Sequence, residues 1–277
     1  MTTTTATRVA MVIPPYAHVL APIADLRGAP THDAELVDQL HYKEIARVLG
    51  SRERWLYVQA QDHYFGWIHD DLVEAMPGSQ GGRLVGRTLA PIRRAPDTAA
   101  EPVGHLPAGT PLASRQIPAA DGGWVWVNVR LGSEREGALT GYVSLEDAAE
   151  IADLPHRSPT AADLIATARS FLGTPYLWGG TSAAGIDCSG FVQQVYRLNG
   201  VGLGRDADRQ ALEGRPADTP LAGDLLFFGS PHVTHVAMSL GGDDFIHAPM
   251  RGAFVEERKI AEDRVPVCIR RYLLDTE

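Results

Sequence analysis

At 277 residues, with 44% hydrophobic side chains, the chain is long enough for two or three packed domains, and its composition excludes wholesale disorder. A net charge of −9 argues against a polyanionic ligand such as nucleic acid, and no basic arm is present to hold a membrane surface. Two cysteines are too few for a disulfide framework.

The N-terminal run Met1-Thr2-Thr3-Thr4-Thr5-Ala6-Thr7-Arg8 lacks a basic stretch followed by an apolar one, and Pro14 and Pro15 interrupt the first apolar segment. No apolar run is long enough to cross a bilayer, so the chain reads as cytoplasmic.

A repeat follows. Ala21-Pro22-Ile23 recurs as Ala90-Pro91-Ile92, and Trp55-Leu56-Tyr57-Val58 as Trp124-Val125-Trp126-Val127. Gly66-Trp67-Ile68 recurs as Gly141-Tyr142-Val143 after a longer gap, which the polar stretch 132–137 fills as a hairpin tip. Each copy alternates short apolar strands with Gly, Pro and Asp turns, the pattern of a small all-β barrel. Residues 76–82 read as the linker between the copies and 154–159 as the boundary before a third domain. The expected domains are therefore 1–78, 83–153 and 155–277.

In the third domain, Ser158 and Pro159 are expected as N-cap and first residue of a helix. Its apolar stripe is Leu164, Ile165, Ala168, Phe171 and Leu172, and Gly173 ends it. After the Gly179-Gly180 loop, Phe191, Val192, Val195 and Leu198 recur at helical spacing, with Asn199-Gly200 as the stop. Cys188 then falls in the first turn of that helix. A lone free cysteine is commonly a small buried hydrophobe. At a helix start, however, the dipole and the unpaired amides favour thiolate, so its pKa is expected to drop from about 8.5.

Leu225-Leu226-Phe227-Phe228 reads as a buried strand. Residues 233–240 alternate, Gly241-Gly242-Asp243 is turn material, and Asp244-Phe245-Ile246-His247-Ala248 returns. With Ser239 facing Asp243 across a three-residue loop, His235 faces His247 directly. One imidazole can then take the thiol proton while the other orients it. No further ligands lie at close spacing, so neither metal nor cofactor is expected. Cys268, in Val265-Pro266-Val267-Cys268-Ile269, reads as core packing in a buried strand. Helix first and sheet second makes the domain α+β.

Asp187-Cys188-Ser189-Gly190-Phe191, preceded by Gly173-Thr174-Pro175-Tyr176-Leu177-Trp178-Gly179-Gly180 and followed by His235-Val236-Ala237 and Ile246-His247-Ala248, resembles the signature of the NlpC-type, papain-like cysteine peptidases. The two N-terminal units resemble tandem bacterial SH3-like barrels. The combination is similar to the YkfC-like γ-D-glutamyl-L-diamino acid endopeptidases.

The resemblance implies a papain-like α+β catalytic domain behind two SH3-like barrels. It implies Cys188 as nucleophile, His235 as general base and His247 as orienting residue. Tyr176 is implied at the oxyanion, while Asp187, Ser189 and Asp206 contact substrate; Asp206 also reads as a helix N-cap. From the first barrel, Glu44 and Tyr64 are carried over as groups that recognise an amine, with Lys43 standing where relatives have glycine. His232 is expected as a loop residue outside the site. The implied partner is a small murein peptide with a free N-terminal L-alanine. The implied role is cleavage after γ-D-glutamyl in cell-wall recycling. A thiol amidase or acyltransferase on the same scaffold, and a non-catalytic wall-peptide binding module, are the alternatives.

Overall fold

The computed structural model describes residues 16–75, 83–87, 89–107, 110–112, 116–117, 123–130, 138–150, 159–261 and 265–273. The N-terminal run, the 76–82 linker, the 132–137 hairpin tip and residues 154–158 of the expected boundary lie outside the described residues. No helix of the described residues is long and apolar enough to cross a membrane.

The first unit comprises β1 (Tyr16–Val19), β2 (Ile23–Arg27), β3 (Leu36–His41), β4 (Ile45–Arg52), β5 (Trp55–Gln59), β6 (Phe65–His69) and β7 (Val73–Ala75). They hydrogen-bond in the order β3-β2-β6-β5-β4-β1-β7. The core is the alternating inward set of Leu26, Leu40, Val48, Val58 and Ile68. The second unit comprises β8 (Arg83–Val85), β9 (Leu89–Arg93), β10 (Pro102–Pro107), β11 (Pro111–Leu112), β12 (Gln116–Ile117), β13 (Trp124–Arg130), β14 (Ala138–Ser144) and β15 (Ala148–Glu150).

The repeat read from sequence is a repeat of strand register. Tyr57 pairs with Trp67 across β5–β6, and Trp126 with Tyr142 across β13–β14. Arg27 meets Trp67 and Arg93 meets Tyr142 at the next strand pair. The glycine of each Gly-aromatic-aliphatic motif sits where that neighbour passes close. A Cβ at Gly66 would come 2.9 Å from Leu26 Cβ, and one at Gly141 would come 2.6 Å from Arg93 O.

The third domain opens with α1 (Ala161–Arg169). Its N-cap is Thr160, which forms a reciprocal capping box with Asp163, so the helix starts two residues later than Ser158-Pro159 suggests. A small ribbon, β16 (Thr181–Ser182) with β17 (Gly185–Ile186), precedes α2 (Cys188–Arg197) and the short α3 (Ala207–Gln210). The sheet then runs β18-β23-β19-β20-β21-β22, from β18 (Arg215–Ala217), β19 (Leu225–Phe228), β20 (His235–Gly241), β21 (Asp244–His247), β22 (Glu256–Lys259) and β23 (Cys268–Arg271). Helix-then-sheet order holds. Phe191, Val192 and Val195 of α2 pack on Val236, Met238 and Ile246 of the sheet.

One strand expectation is corrected. Val265 and Val267 are exposed, and the strand begins at Cys268, which is half-buried against the helix-side core. An alternating apolar run identified the strand but placed its start too early.

Candidate active site

Cys188 is the first residue of α2, with Asp187 as its N-cap. Asp187 Oδ1 accepts from the Gly190 amide at 2.7 Å, which fixes the turn carrying the thiol. The backbone amides of Val236 and Ser189 act on the thiol itself, bringing it to the end of β20 where His235 begins. His235 Nε2 meets His247 Nδ1 at 2.8 Å, with the rings edge to face. Phe228 and Phe245 flank the pair, and both histidines are buried. With Nε2 so engaged, Nδ1 of His235 is the nitrogen that can take a thiol proton.

The hairpin register differs from the expected one by two residues. Met238 pairs with Ile246 and Ser239 with Phe245, with a bulge before Gly241↔Asp244. Gly241 and Gly242 both take positive φ, which closes a tighter turn than the three-residue loop expected. A shift of two preserves the face, so the histidines meet diagonally rather than directly opposite.

The expected fall in thiol pKa is also corrected. Burial, then the Asp187 carboxylate, push the Cys188 thiol up to about 11, against the pull of the two amides and Arg205. The helix start supplies donors, but the low dielectric around a nearly buried sulfur outweighs them. On that balance the helix start does not by itself favour the thiolate.

A cavity of about 430 Å³ opens on Cys188, lined by Glu35, Val37 and Tyr64 of the first unit and by Tyr176, Trp178, Asp187, Ser189, Asp206, Asp208 and Thr234 of the third domain. Tyr64 donates its hydroxyl to Asp206 Oδ2 at 3.0 Å across the domain interface. Asp206 is the α3 N-cap by position but makes no side-chain cap bond, so its carboxylate faces the interface instead. Burial pushes Asp206 up, while Tyr64 and Arg205 pull it down. Burial also pushes the Tyr64 and Tyr176 phenols up, so both remain donors. Tyr176 lines the same cavity as Cys188, whose charge pushes the phenol up further.

Asp187 is more committed than expected. Its oxygens accept from Gly190 N, Gly179 N, Ser189 Oγ and both terminal nitrogens of Arg205. Arg205 also donates from Nε to Asp38 of the first unit at 2.8 Å. Arg205 is buried between Asp187 and Asp38 and stays charged; burial outweighs Arg205 at Asp38 and pushes its carboxyl up to about 8. Asp187 therefore holds the helix and its cation while also lining the cavity.

Glu44 is a correction of place. It lines a different cavity, of about 200 Å³, between the first unit and α2. Its carboxylate binds Arg197 and accepts from the His41 amide at 2.9 Å. The segment around it is a three-way junction. His41 Nε2 lies 3.4 Å from Thr181 Oγ1, Tyr42 packs into the core of the second unit, and Glu44 reaches α2. Lys43 has φ of 66°, the left-handed conformation that a glycine at this position would take without strain. The loop that resemblance read as ligand-binding thus joins the domains.

Glu35 is the residue sequence reasoning missed. It lies just before β3 and accepts from Trp178 Nε1 at 2.8 Å, at the cavity rim. Nothing in the local sequence marks it, since its partner is 143 residues away. His232 is exposed in the loop before β20. For a metal, the structure gathers His69, Asp70 and Asp71 on the first unit, but Arg54 binds both carboxylates and compensates their charge.

Comparison with known proteins fits this geometry. Residues 173–266 match the NlpC/P60 family and residues 26–72 match the bacterial dipeptidyl-peptidase Sh3 domain. Dipeptidyl-peptidase 6 of Lysinibacillus sphaericus is 31% identical over 256 residues, covering 88% of this chain and 91% of that protein. The chain belongs to the NlpC/P60 family. NlpC/P60 proteins are cysteine peptidases, and this one carries an SH3-like, strand-rich N-terminal region. Gamma-D-glutamyl-L-lysine dipeptidyl-peptidase of Bacillus subtilis (strain 168) is 44% identical over 109 residues, spanning 37% of each chain. A solved NlpC/P60 family protein from Bacillus cereus shares the fold, with a TM-score of 0.75 at 23% identity over 94% of this chain and all of that one.

Proposed function

We propose that this NlpC/P60 peptidase cleaves the γ-D-glutamyl–diamino acid bond of small murein peptides that carry a free N-terminal L-alanine, in cell-wall recycling. On this reading 1–78 and 83–153 are the two barrels and 155–277 is the catalytic domain. Cys188 Sγ attacks the γ-carbonyl carbon as its proton passes to His235 Nδ1, with His247 orienting the imidazole. The oxyanion is met by the Cys188 amide at the helix start and by the Tyr176 hydroxyl. Collapse breaks the C–N bond, and His235 returns the proton to the leaving amine. Water then hydrolyses the thioester, regenerating the thiol.

The observation that carries the substrate reading is the closure of the cavity by the first barrel through Tyr64 and Asp206. That end is walled and acidic, with Glu35, Asp206 and Asp208 lining it. An ammonium fits such a wall, and an acylated nitrogen loses the charge and adds bulk. The name of the Bacillus subtilis relative supports the γ-D-glutamyl part.

The test compares L-Ala-γ-D-Glu-L-Lys with its N-acetyl form. Acetylation should lower kcat/KM by at least about a hundredfold. Tyr64→Phe should narrow that preference. Equal cleavage of both peptides would remove the barrel from substrate selection.

A further inference from the structure

We propose that Glu256 is a positioning residue that selects the productive tautomer of His247 and so aims His235 at the thiol. The inference rests on the assignment of Cys188 and His235 as nucleophile and base.

The β21–β22 register sets His247 directly opposite Glu256. Directly opposed side chains on one face are neighbours by construction. Glu256 Oε1 lies 3.8 Å from His247 Nε2. On its other side, His247 Nδ1 is 2.8 Å from His235 Nε2. Two ring nitrogens at that distance share one proton, and the choice of owner decides the chemistry.

Consider both owners. If His235 keeps the proton on Nε2, its Nδ1 is a lone pair that can accept from sulfur. His247 Nδ1 must then be the acceptor, and neutral His247 carries its own proton on Nε2. If instead His247 holds the proton on Nδ1, His235 Nε2 is the acceptor. Neutral His235 then carries its proton on Nδ1, the nitrogen that should receive the thiol proton, and the base is blocked. A carboxylate beside His247 Nε2 favours N–H over a lone pair there, which is the first arrangement. This is the logic by which a partner on one imidazole nitrogen assigns the other.

Glu256 is itself held. Arg258 Nε donates to the same Oε1 at 2.8 Å, two residues along β22. That cation also shares the carboxylate charge. The Glu256 side chain is 37% exposed while His247 is 2% exposed, so the bias acts on a buried ring from a partly solvated group. Among the described residues, His235 from β20 and Glu256 from β22, the latter tied to Arg258, are charged or titratable groups that face His247. Glu256 does not line the substrate cavity.

The experiment uses the full chain with 15N-labelled histidine, wild type and Glu256→Ala, with Glu256→Asp as the conservative variant. In wild type, His247 should show the Nε2–H tautomer signature. In Glu256→Ala the signature should shift toward a mixture, kcat for the tripeptide should fall about tenfold, and KM should hold, with partial recovery in Glu256→Asp. Alkylation of Cys188 by iodoacetamide should slow in parallel. That arm needs no substrate, so a wild type that fails to cleave the tripeptide would sink the substrate reading while leaving this one to be judged. An unchanged tautomer in Glu256→Ala, or a rise in KM alone, would overturn the proposal.

Discussion

At the scale of single residues, the Cys188 thiol departs from what a helix start suggests. Burial and Asp187 push Cys188 up to about 11, so the helix does not hold a resident thiolate. Without His235, alkylation should keep climbing with pH beyond about 8.5, the ordinary thiol range, toward that higher value. We therefore expect His235→Ala to react slowly with iodoacetamide at pH 7 and to show a late, single rise, while wild type reacts faster at neutrality. A plateau below pH 8 in His235→Ala would mean that the helix alone makes the thiolate. Cys188→Ala should end hydrolysis with the fold retained. The elements that carry these residues were readable from the chain because each sits in a short, patterned segment: a helix start for Cys188, alternating strands for His235 and His247. The raised thiol pKa was not readable, because it depends on how deeply the packed sheet buries the sulfur.

At the scale of elements, α2 is fastened by a chain of charge that no local pattern announces. Asp38 on β3 and Asp187 at the helix cap share Arg205, and Asp38 and Arg205 stand 167 residues apart. Losing Asp38 leaves Arg205 paired with Asp187 but strips its buried Nε donor of an acceptor. Asp38→Ala should therefore cost about 2 kcal/mol in urea unfolding. A change below about 0.5 kcal/mol would show that water, not Asp38, compensates Arg205. Two of the slips in element reading have related causes. Ser158-Pro159 and Thr160 both satisfy rules for a helix start, and the Thr160–Asp163 reciprocal bond decides between them. The β20–β21 turn was placed by counting turn-formers, whereas two positive-φ glycines close it tighter. Alternation survives a two-residue slip, so the face was right while the register was wrong.

At the scale of the whole molecule, the repeat was legible because each copy carries its own strand signals. The junction was not, because its partners come from three domains. His41 is buried there, and burial lowers its pKa to about 4 from an ordinary 6.5. A depressed pKa means that the unfolded chain takes the proton first. Stability is then full above pH 6.5 and drains as pH falls toward 4, by about 3 kcal/mol in all. Urea midpoints at pH 7 and pH 4.5 should record that slope, and His41→Gln should flatten it. Parallel slopes in the two proteins would assign the acid loss to other groups. The same junction decides how the protein can be cut and rejoined. A catalytic half grafted onto a foreign barrel would arrive with Arg205 Nε lacking its acceptor, with Arg197 stripped of Glu44, and with the second barrel missing the Tyr42 plug in its core. The smallest transferable unit is all three domains together, so shuffling this peptidase by parts yields charge imbalance before it yields a new specificity.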